Sequence, residues 1–226
     1  MRALKHSISL FTLFVLAGLV GSPLPAQVVG SGTGGNCFPF GCVYPGSSGT
    51  RYQQVYDASN FSGSGYLEEI RFFLHTEGGF RPGTYEIFFS TTTAPVNGLD
   101  LSDFDSNLGA DNFLFGSYFL SGWAPTILSF AGSPFHYDPS LGNLLMDIRF
   151  TSSGGPEGLA SFQTDNGTAA GWYSRAHDYG GGYEDWGLKT EFVFADATST
   201  VPEPATMTLL ATGLAGMATA RRRRKD

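Results

Sequence analysis

Residues 83–92 read GTYEIFFSTT, and this stretch is the clearest indication of the fold class of the chain. In an extended backbone successive side chains point to opposite faces, so Tyr85, Ile87 and Phe89 share one face. The intervening even-numbered residues, Glu86 among them, share the other face. This alternation is typical of a strand with one face in a core, and it predicts a β-strand here.

Three further stretches show the same period of two. In residues 66–75, YLEEIRFFLH, the period places on one face Tyr66, Glu68, Ile70, Phe72 and Leu74. In residues 143–151, NLLMDIRFT, it places together Leu144, Met146, Ile148 and Phe150, while Leu145, Asp147, Arg149 and Thr151 point away. In residues 190–196, TEFVFAD, it places Phe192 with Phe194.

Shorter β-rich stretches lie between these four, and most are set off by Gly, Pro, Asn or Asp. They read RYQQVYDA, FLFGSYFLSG, TILSF, GLASFQT and GWYSR. Since no long segment carries a helical period, about eight to ten strands predict an all-β chain. We expect a single antiparallel β-sandwich, or a jelly-roll-like variant of it, over residues 51–200. The 20 phenylalanines can fill the space between two sheets.

The first 26 residues resemble a targeting segment more than part of the fold. Arg2 and Lys5 precede an apolar run over residues 8–20, and small residues follow up to Ala26. Because about 13 apolar residues are too few to span a bilayer comfortably, the pattern predicts a secretory signal peptide over residues 1–26. The partners of this step would be the Sec translocon and signal peptidase.

Removing residues 1–26 and 201–226 leaves about 174 residues with a strongly acidic balance. This body holds 18 acidic residues against six basic ones, a net charge of about −12. Nucleic-acid binding requires clustered Lys and Arg against phosphates, so this charge excludes it.

Residues 27–50 are rich in Gly, Ser and Pro, and they predict a loop-like lead-in to the sandwich. The chain's two cysteines, Cys37 and Cys42, lie in this lead-in as CFPFGC. A metal site would need further ligands close by, so in an exported chain the pair predicts a small disulfide loop.

The chain ends on three elements in order: VPEPAT, an apolar stretch and a basic run. The apolar stretch over residues 205–220 predicts a short transmembrane helix of about 24 Å, less than a typical hydrocarbon core. The basic stop that would stay on the cytoplasmic side is Arg221, Arg222, Arg223, Arg224 and Lys225. Such a segment can halt export and hold the body outside the membrane.

These three elements resemble the PEP-CTERM sorting signal over residues 201–226. The motif residues are Val201, Pro202, Glu203 and Pro204. The resemblance implies an exported protein of Gram-negative bacteria with exopolysaccharide or biofilm systems. It also implies that exosortase cleaves the Pro-Glu-Pro region and passes the body to the cell surface or extracellular matrix. Phrases of the body, such as PFHYDPSLGNLLMDI, resemble uncharacterised PEP-CTERM exported proteins.

Two stretches of the body are candidates for ligand contact, and each has a structural alternative. In DFDSNLGAD, a loop could turn Asp103, Asp105, Asn107 and Asp111 toward Ca²⁺, but the glycine and final Glu of a calcium loop are misplaced or missing. A solvated turn explains the same residues. In GWYSRAHDYGGGYEDWG, the candidates for glycan contact are Trp172, Tyr179, Tyr183 and Trp186. The alternative is that these aromatics belong to the core.

Catalytic patterns are weak in this sequence. A glycoside hydrolase needs two carboxylates across a sugar bond, but Glu68 and Glu69 are adjacent on a strand and point apart. The sequence contains no G-x-S-x-G elbow and no HExxH. We therefore expect a structural or adhesive body that contacts glycan and needs no cofactor. The alternative is a secreted carbohydrate-active enzyme.

Overall fold

The computed structural model describes residues 26–42, 49–155, 158–165, 171–178 and 187–196. Within these ranges the chain forms strands and two short 3₁₀ helices, Ala58–Asn60 and Phe104–Asn107, and contains no α-helix. The strands are β1 Gln27–Val29, β2 Gly34–Asn36, β3 Gly49–Tyr56, β4 Gly65–Thr76, β5 Gly83–Thr92, β6 Phe113–Leu120, β7 Ile127–Tyr137, β8 Asn143–Ser152, β9 Ser161–Thr164, β10 Tyr173–His177 and β11 Thr190–Asp196.

The strands form two sheets, and every strand pair is antiparallel. One sheet has the order β1-β11-β4-β9-β2. Its sixth strand, β7, pairs with β4 and lies outside this linear order. The second sheet has the order β10-β3-β8-β5-β6. The two sheets share one aromatic core, so the prediction of an all-β, antiparallel sandwich is confirmed.

Phe40 occupies the centre of this core although it lies on a loop and not on a strand. Its ring centroid lies 5.2–5.6 Å from those of Phe72, Phe130 and Phe162 in the first sheet and Tyr85 in the second. Offset and edge-on contacts at these distances add to the apolar burial. The loop that carries Phe40 is closed by a disulfide between Cys37 and Cys42, whose Cα atoms lie 5.3 Å apart.

The alternation along β5 is as predicted, whereas that along β4 changes phase. Ile70 and Phe72 are buried, but their inward neighbour at the start of the strand is Leu67, while Tyr66 is 41% exposed. The cause is a bulge. Phe194 pairs with Leu67 and Val193 pairs with Glu69, so Glu68 is an extra residue on β4. The single-face prediction for residues 66–75 is therefore wrong before residue 69.

The outer face of β8 is also covered, because the long connection between β5 and β6 folds over it. Leu145 on β8 packs with Val55, Leu99 and Ala176 in a second, smaller apolar cluster. Residues 145 and 147 point away from the main core as predicted, yet both are buried.

The described parts of the segment expected to be a loop-like lead-in, residues 27–42 and 49–50, contain strands of the two sheets. β1 pairs with β11, β2 pairs with β9, and β3 already begins at Gly49. β1 and β2 have three residues each, too few to show a period of two. They are held as strands by their partners and not by their own composition.

Candidate functional site

The register of the strands defines two ends of the sandwich. At one end, which we call the Asp196 end, Asp196 pairs with Gly65, which in turn pairs with Tyr137. At the opposite end, which we call the Trp123 end, isolated bridges join Gly79 to Trp123 and to Leu159. Each end carries an exposed apolar surface, so each is a candidate for contact with a ligand.

The Asp196 end contains an open groove of about 340 Å³ between β6 and β7. Its lining combines apolar, acidic and polar side chains: Thr91, Asp111, Phe113, Pro134, Phe135, His136, Asp138 and Leu141. The rings of Phe113 and Phe135 stack with centroids 6.3 Å apart. Because Phe113 is 40% exposed, its ring offers an apolar surface to a ligand in the groove.

Backbone amides hold the two carboxylates of the groove in place. The amide of Thr91 donates to Oδ1 of Asp111 at 2.8 Å, and the amide of Ser140 donates to Oδ1 of Asp138 at 2.9 Å. Hydrogen bonds from Ser140, with a smaller contribution from His136, hold the pKa of Asp138 below its ordinary value. Asp138 is therefore ionised at neutral pH. The ring of His136 packs edge-on against Tyr66 at 5.1 Å, which extends the groove surface onto β4.

The Trp123 end presents a more apolar surface, which we call the Trp123 patch. Its members are Phe119, Trp123, Ile127 and Leu159, and the Trp123 side chain is 78% exposed. Close backbone packing fixes the patch, because a Cβ on Gly158 would lie 2.1 Å from the carbonyl carbon of Gly79. Leu159 has a φ of 58°, a left-handed value that is rare for a leucine.

Of the four aromatics predicted to contact glycan, Trp172 lies in the described residues, while Tyr179, Tyr183 and Trp186 lie outside them. Trp172 is 40% exposed at the Asp196 end. Its carbonyl accepts hydrogen bonds from the Asp57 amide and from Nδ2 of Asn60, both at 2.8 Å. These bonds fix the backbone at Trp172 and leave its ring partly open to solvent.

The four candidate calcium ligands are not gathered into one site. The Asp103 side chain caps the 3₁₀ helix by accepting from the Asp105 amide at 3.0 Å, and Asp105 pairs with Arg51 at 2.8 Å. The Asn107 amide is buried and donates to Gln53, while Asp111 lies in the groove. Among the residues that the structure describes, no three His, Cys, Asp or Glu side chains are grouped to hold a metal. These contacts give each of the four side chains a structural role, and Asn107 is buried and not solvated.

An ionic cluster that local sequence patterning does not indicate lies on the outer face of the second sheet. Asp147 is 1% exposed, and both of its oxygens accept from Arg51, at 2.8 and 2.9 Å. Arg149 donates to the same carboxylate at 2.9 Å, and its guanidinium lies 4.3 Å from the centroid of the Phe88 ring. Two arginines around one carboxylate make this cluster a structural anchor for the β5–β6 connection, since Arg51 also reaches Asp105.

Comparison with known proteins gives a match for the C-terminus. A protein-family comparison matches residues 200–224 to the PEP-CTERM protein-sorting motif. No curated protein and no solved structure matches the chain, so the resemblance of the body to uncharacterised exported proteins stays a prediction.

The targeting segments themselves are not part of the described structure. The predicted signal peptide over residues 1–26 lies outside it except for Ala26, and the motif, the predicted helix over residues 205–220 and the basic run all lie outside it. None of the described segments forms a helix with the length and apolar character needed to cross a bilayer. The motif match nevertheless assigns the route: the chain carries a PEP-CTERM sorting motif, which marks it as an exported protein that exosortase sorts to the cell surface.

Proposed function

We propose that the β-sandwich is a structural and adhesive component of the cell surface or extracellular polysaccharide matrix, which contacts glycan without cleaving it. The observation that carries this proposal is Trp123, an indole 78% exposed on a rigid framework at the end of the sandwich opposite Asp196. Exposed apolar side chains gathered at one end of a fold are typical of a contact surface. The flat face of an indole fits the apolar face of a sugar ring.

The position of this surface supports an adhesive role. The motif begins at residue 200, four residues beyond Asp196, so the chain is tethered or cleaved close to the Asp196 end. A body held at that end presents the opposite Trp123 patch to its surroundings.

The pKa of Asp138 does not suit this groove carboxyl to the role of a general acid in the hydrolase alternative. A glycosidase needs one carboxyl whose raised pKa keeps it protonated as the general acid. The groove does contain two carboxylates, but hydrogen bonds from Ser140 lower the pKa of Asp138. The buried Asp147 is neutralised by two arginines and faces away from the groove. The proposal therefore assigns no catalytic residue.

The proposed route follows from the two ends of the chain. The signal peptide over residues 1–26 directs the chain to the Sec translocon, and signal peptidase removes it. The helix over residues 205–220 holds the chain in the inner membrane for a limited time, with residues 221–225 on the cytoplasmic side. Exosortase then cuts at the Pro-Glu-Pro region and releases the body toward the exopolysaccharide.

The test is retention of the full chain on a panel of immobilised polysaccharides, with release of reducing sugar ends measured in parallel. We expect retention without cleavage, and we expect W123A to weaken retention roughly ten-fold, as for other exposed aromatic anchors. V28A is the control, because it shortens an exposed apolar side chain on β1 that belongs neither to the Trp123 patch nor to the groove at the Asp196 end. Release of reducing ends would overturn the non-catalytic proposal. Equal retention of W123A and the parent chain would show that the Trp123 patch is not the surface that binds the polysaccharide.

A further inference from the structure

We propose that the groove at the Asp196 end is a second binding site, specific for glycans that carry free amino groups, such as polymers of 2-amino-2-deoxyhexose. The site rests on the groove itself and is independent of the Trp123 patch. Its walls offer two carboxylates and one exposed aromatic ring but no Lys or Arg, so charge complementarity selects a cationic ligand.

The distribution of basic residues supports this selection. The side chains of Arg51, Arg71 and Arg149 all pair with carboxylates of the fold. Arg81 donates to the Gly155 carbonyl, and the Lys189 ammonium lies 5.0 Å from the centroid of the Phe73 ring. The basic groups with described contacts thus serve the fold. An anionic glycan would meet mainly acidic surface, whereas an aminated one would be attracted.

The two carboxylates are prepared for such a ligand. In each, a backbone amide fixes Oδ1, so the position of the group is set before the ligand arrives and Oδ2 can accept from it. A hydrogen bond between an ammonium and an ionised carboxylate is about twice as strong as a neutral one. Because Asp111 lies just before β6 and Asp138 just after β7, the two groups line the groove from two elements.

The aromatic wall explains why the ligand is a sugar and not a simple amine. Phe113 offers an exposed ring stacked on Phe135, and Leu141 offers a further apolar surface beside it. A pyranose ring has an apolar face for this wall, and its protonated amino group is also attracted to an aromatic face. The groove is not an enclosed cavity, so a longer chain that extends beyond it can also bind.

The test compares binding of the full chain to two hexasaccharides of the same linkage, one of glucosamine and one of N-acetylglucosamine. The two probes differ in charge and acetylation but not in length. We expect the glucosamine hexamer to bind about ten-fold more tightly, and added salt to reduce this preference. D111N and D138N should each weaken its binding about three- to ten-fold, with little effect on the acetylated probe.

Three results would overturn the proposal, and the first uses a control variant. Glu77→Gln removes one negative charge from an exposed position at the far end of β4. If it weakens binding as much as D111N does, the attraction belongs to the whole acidic surface. If both hexamers bind equally, the groove does not select amines. If an oligolysine peptide binds more tightly than the glucosamine hexamer, the ligand is not a glycan. None of these outcomes depends on Trp123, so W123A separates this proposal from the proposed function.

Discussion

The Asp165 carboxylate offers the sharpest test of how the N-terminal residues are held to the sandwich. It is buried and accepts hydrogen bonds from the Ser31 amide at 2.8 Å, the Gly32 amide at 2.9 Å, the Tyr173 hydroxyl at 2.6 Å and the Ser31 hydroxyl. These donors come from the connection between β1 and β2 and from β10. Asp165 therefore ties the edge strands β1 and β2 to the body of the fold.

We expect D165N to lower the free energy of unfolding by about 3 kcal/mol. The asparagine amide keeps one acceptor oxygen, so about two of the four hydrogen bonds are lost, at about 1.5 kcal/mol for each bond to a charged acceptor. For a chain of this size the loss corresponds to a fall in Tm of about 6–12 °C. The measurement is urea and thermal unfolding of the full chain, followed by near-UV circular dichroism.

The pH dependence of this effect has a definite sign. Burial alone would raise the pKa of Asp165, but hydrogen bonds from Ser31, Tyr173 and Gly32 outweigh it, and the pKa lies below its ordinary value. A lowered folded-state pKa gives stability that is fully present above the unfolded pKa of about 3.9 and is lost as the pH falls further. The difference between parent and D165N should therefore be constant near neutral pH and narrow below about pH 4.

Glu77→Gln is the matched control, because it removes the same charge from an exposed position. It should leave the unfolding curve unchanged. The reasoning fails if D165N unfolds at the same urea concentration as the parent chain. It also fails if the gap between the two stays the same in acid, since a carboxylate that is not ionised in the fold would give that result.

Three further changes test other parts of the fold, each by urea unfolding. Phe40→Ala should lower the free energy of unfolding by about 3–5 kcal/mol, because it opens a cavity between rings of both sheets. W123A at the exposed patch should lower it by less than about 0.5 kcal/mol. Similar losses for the two variants would contradict the assigned core. Replacing Cys37 and Cys42 with serine should cost about 2 kcal/mol, as expected for so short a loop, and added reductant should then have no further effect. Asp147→Ala should cost about 3–5 kcal/mol and make the β5–β6 connection sensitive to protease, because two arginines lose their buried partner; an unchanged digestion pattern would show that the cluster does not anchor that connection.

The sandwich could be predicted where a strand is long and one of its faces is in the core. Along β5, buried and partly exposed residues alternate from residue 83 to residue 89, and the inward side chains Tyr85, Ile87 and Phe89 are buried. Here the period of two is a direct consequence of the backbone and needs no knowledge of neighbouring strands. A long strand with aromatic inward residues can therefore be predicted from its own sequence.

The phase error in β4 shows what the period cannot reveal. The bulge at Glu68 arises from pairing with β11, about 120 residues further along the chain, and one extra residue reverses the faces before it. Sequence alone does not decide which face of β4 is buried, because both faces carry apolar residues. Leu67 and Phe73 lie on the odd-numbered face, and Ile70 and Phe72 lie on the even-numbered face. The choice between them depends on a partner strand that local patterning does not contain.

The candidate sites are still harder to predict from sequence, because they join residues from separate elements. The groove brings together residue 91 of β5, residues 111 and 113 near β6 and residues 134–141 around the end of β7. Residues 134–141 begin the phrase PFHYDPSLGNLLMDI, but the phrase by itself does not indicate a binding site. The sequence groups Asp111 with its neighbours as a calcium candidate, whereas in the fold the second carboxylate of the groove is Asp138. Only the fold places these two carboxylates along one surface.

The position of the sorting motif gives the two surfaces different tasks. The motif begins four residues after β11, so under the proposed route the Asp196 end would be near the membrane until exosortase acts. The groove at that end would then bind only glycan strands that reach the site of processing, whereas the Trp123 patch at the other end would face outward from the start. If the groove binds an aminated glycan, a chain still held by its C-terminus would bind the polymer less readily than the released body. A comparison of glucosamine-hexamer binding between membrane-held and released protein would detect this difference. Equal binding by the two forms would show that the tether leaves the groove open.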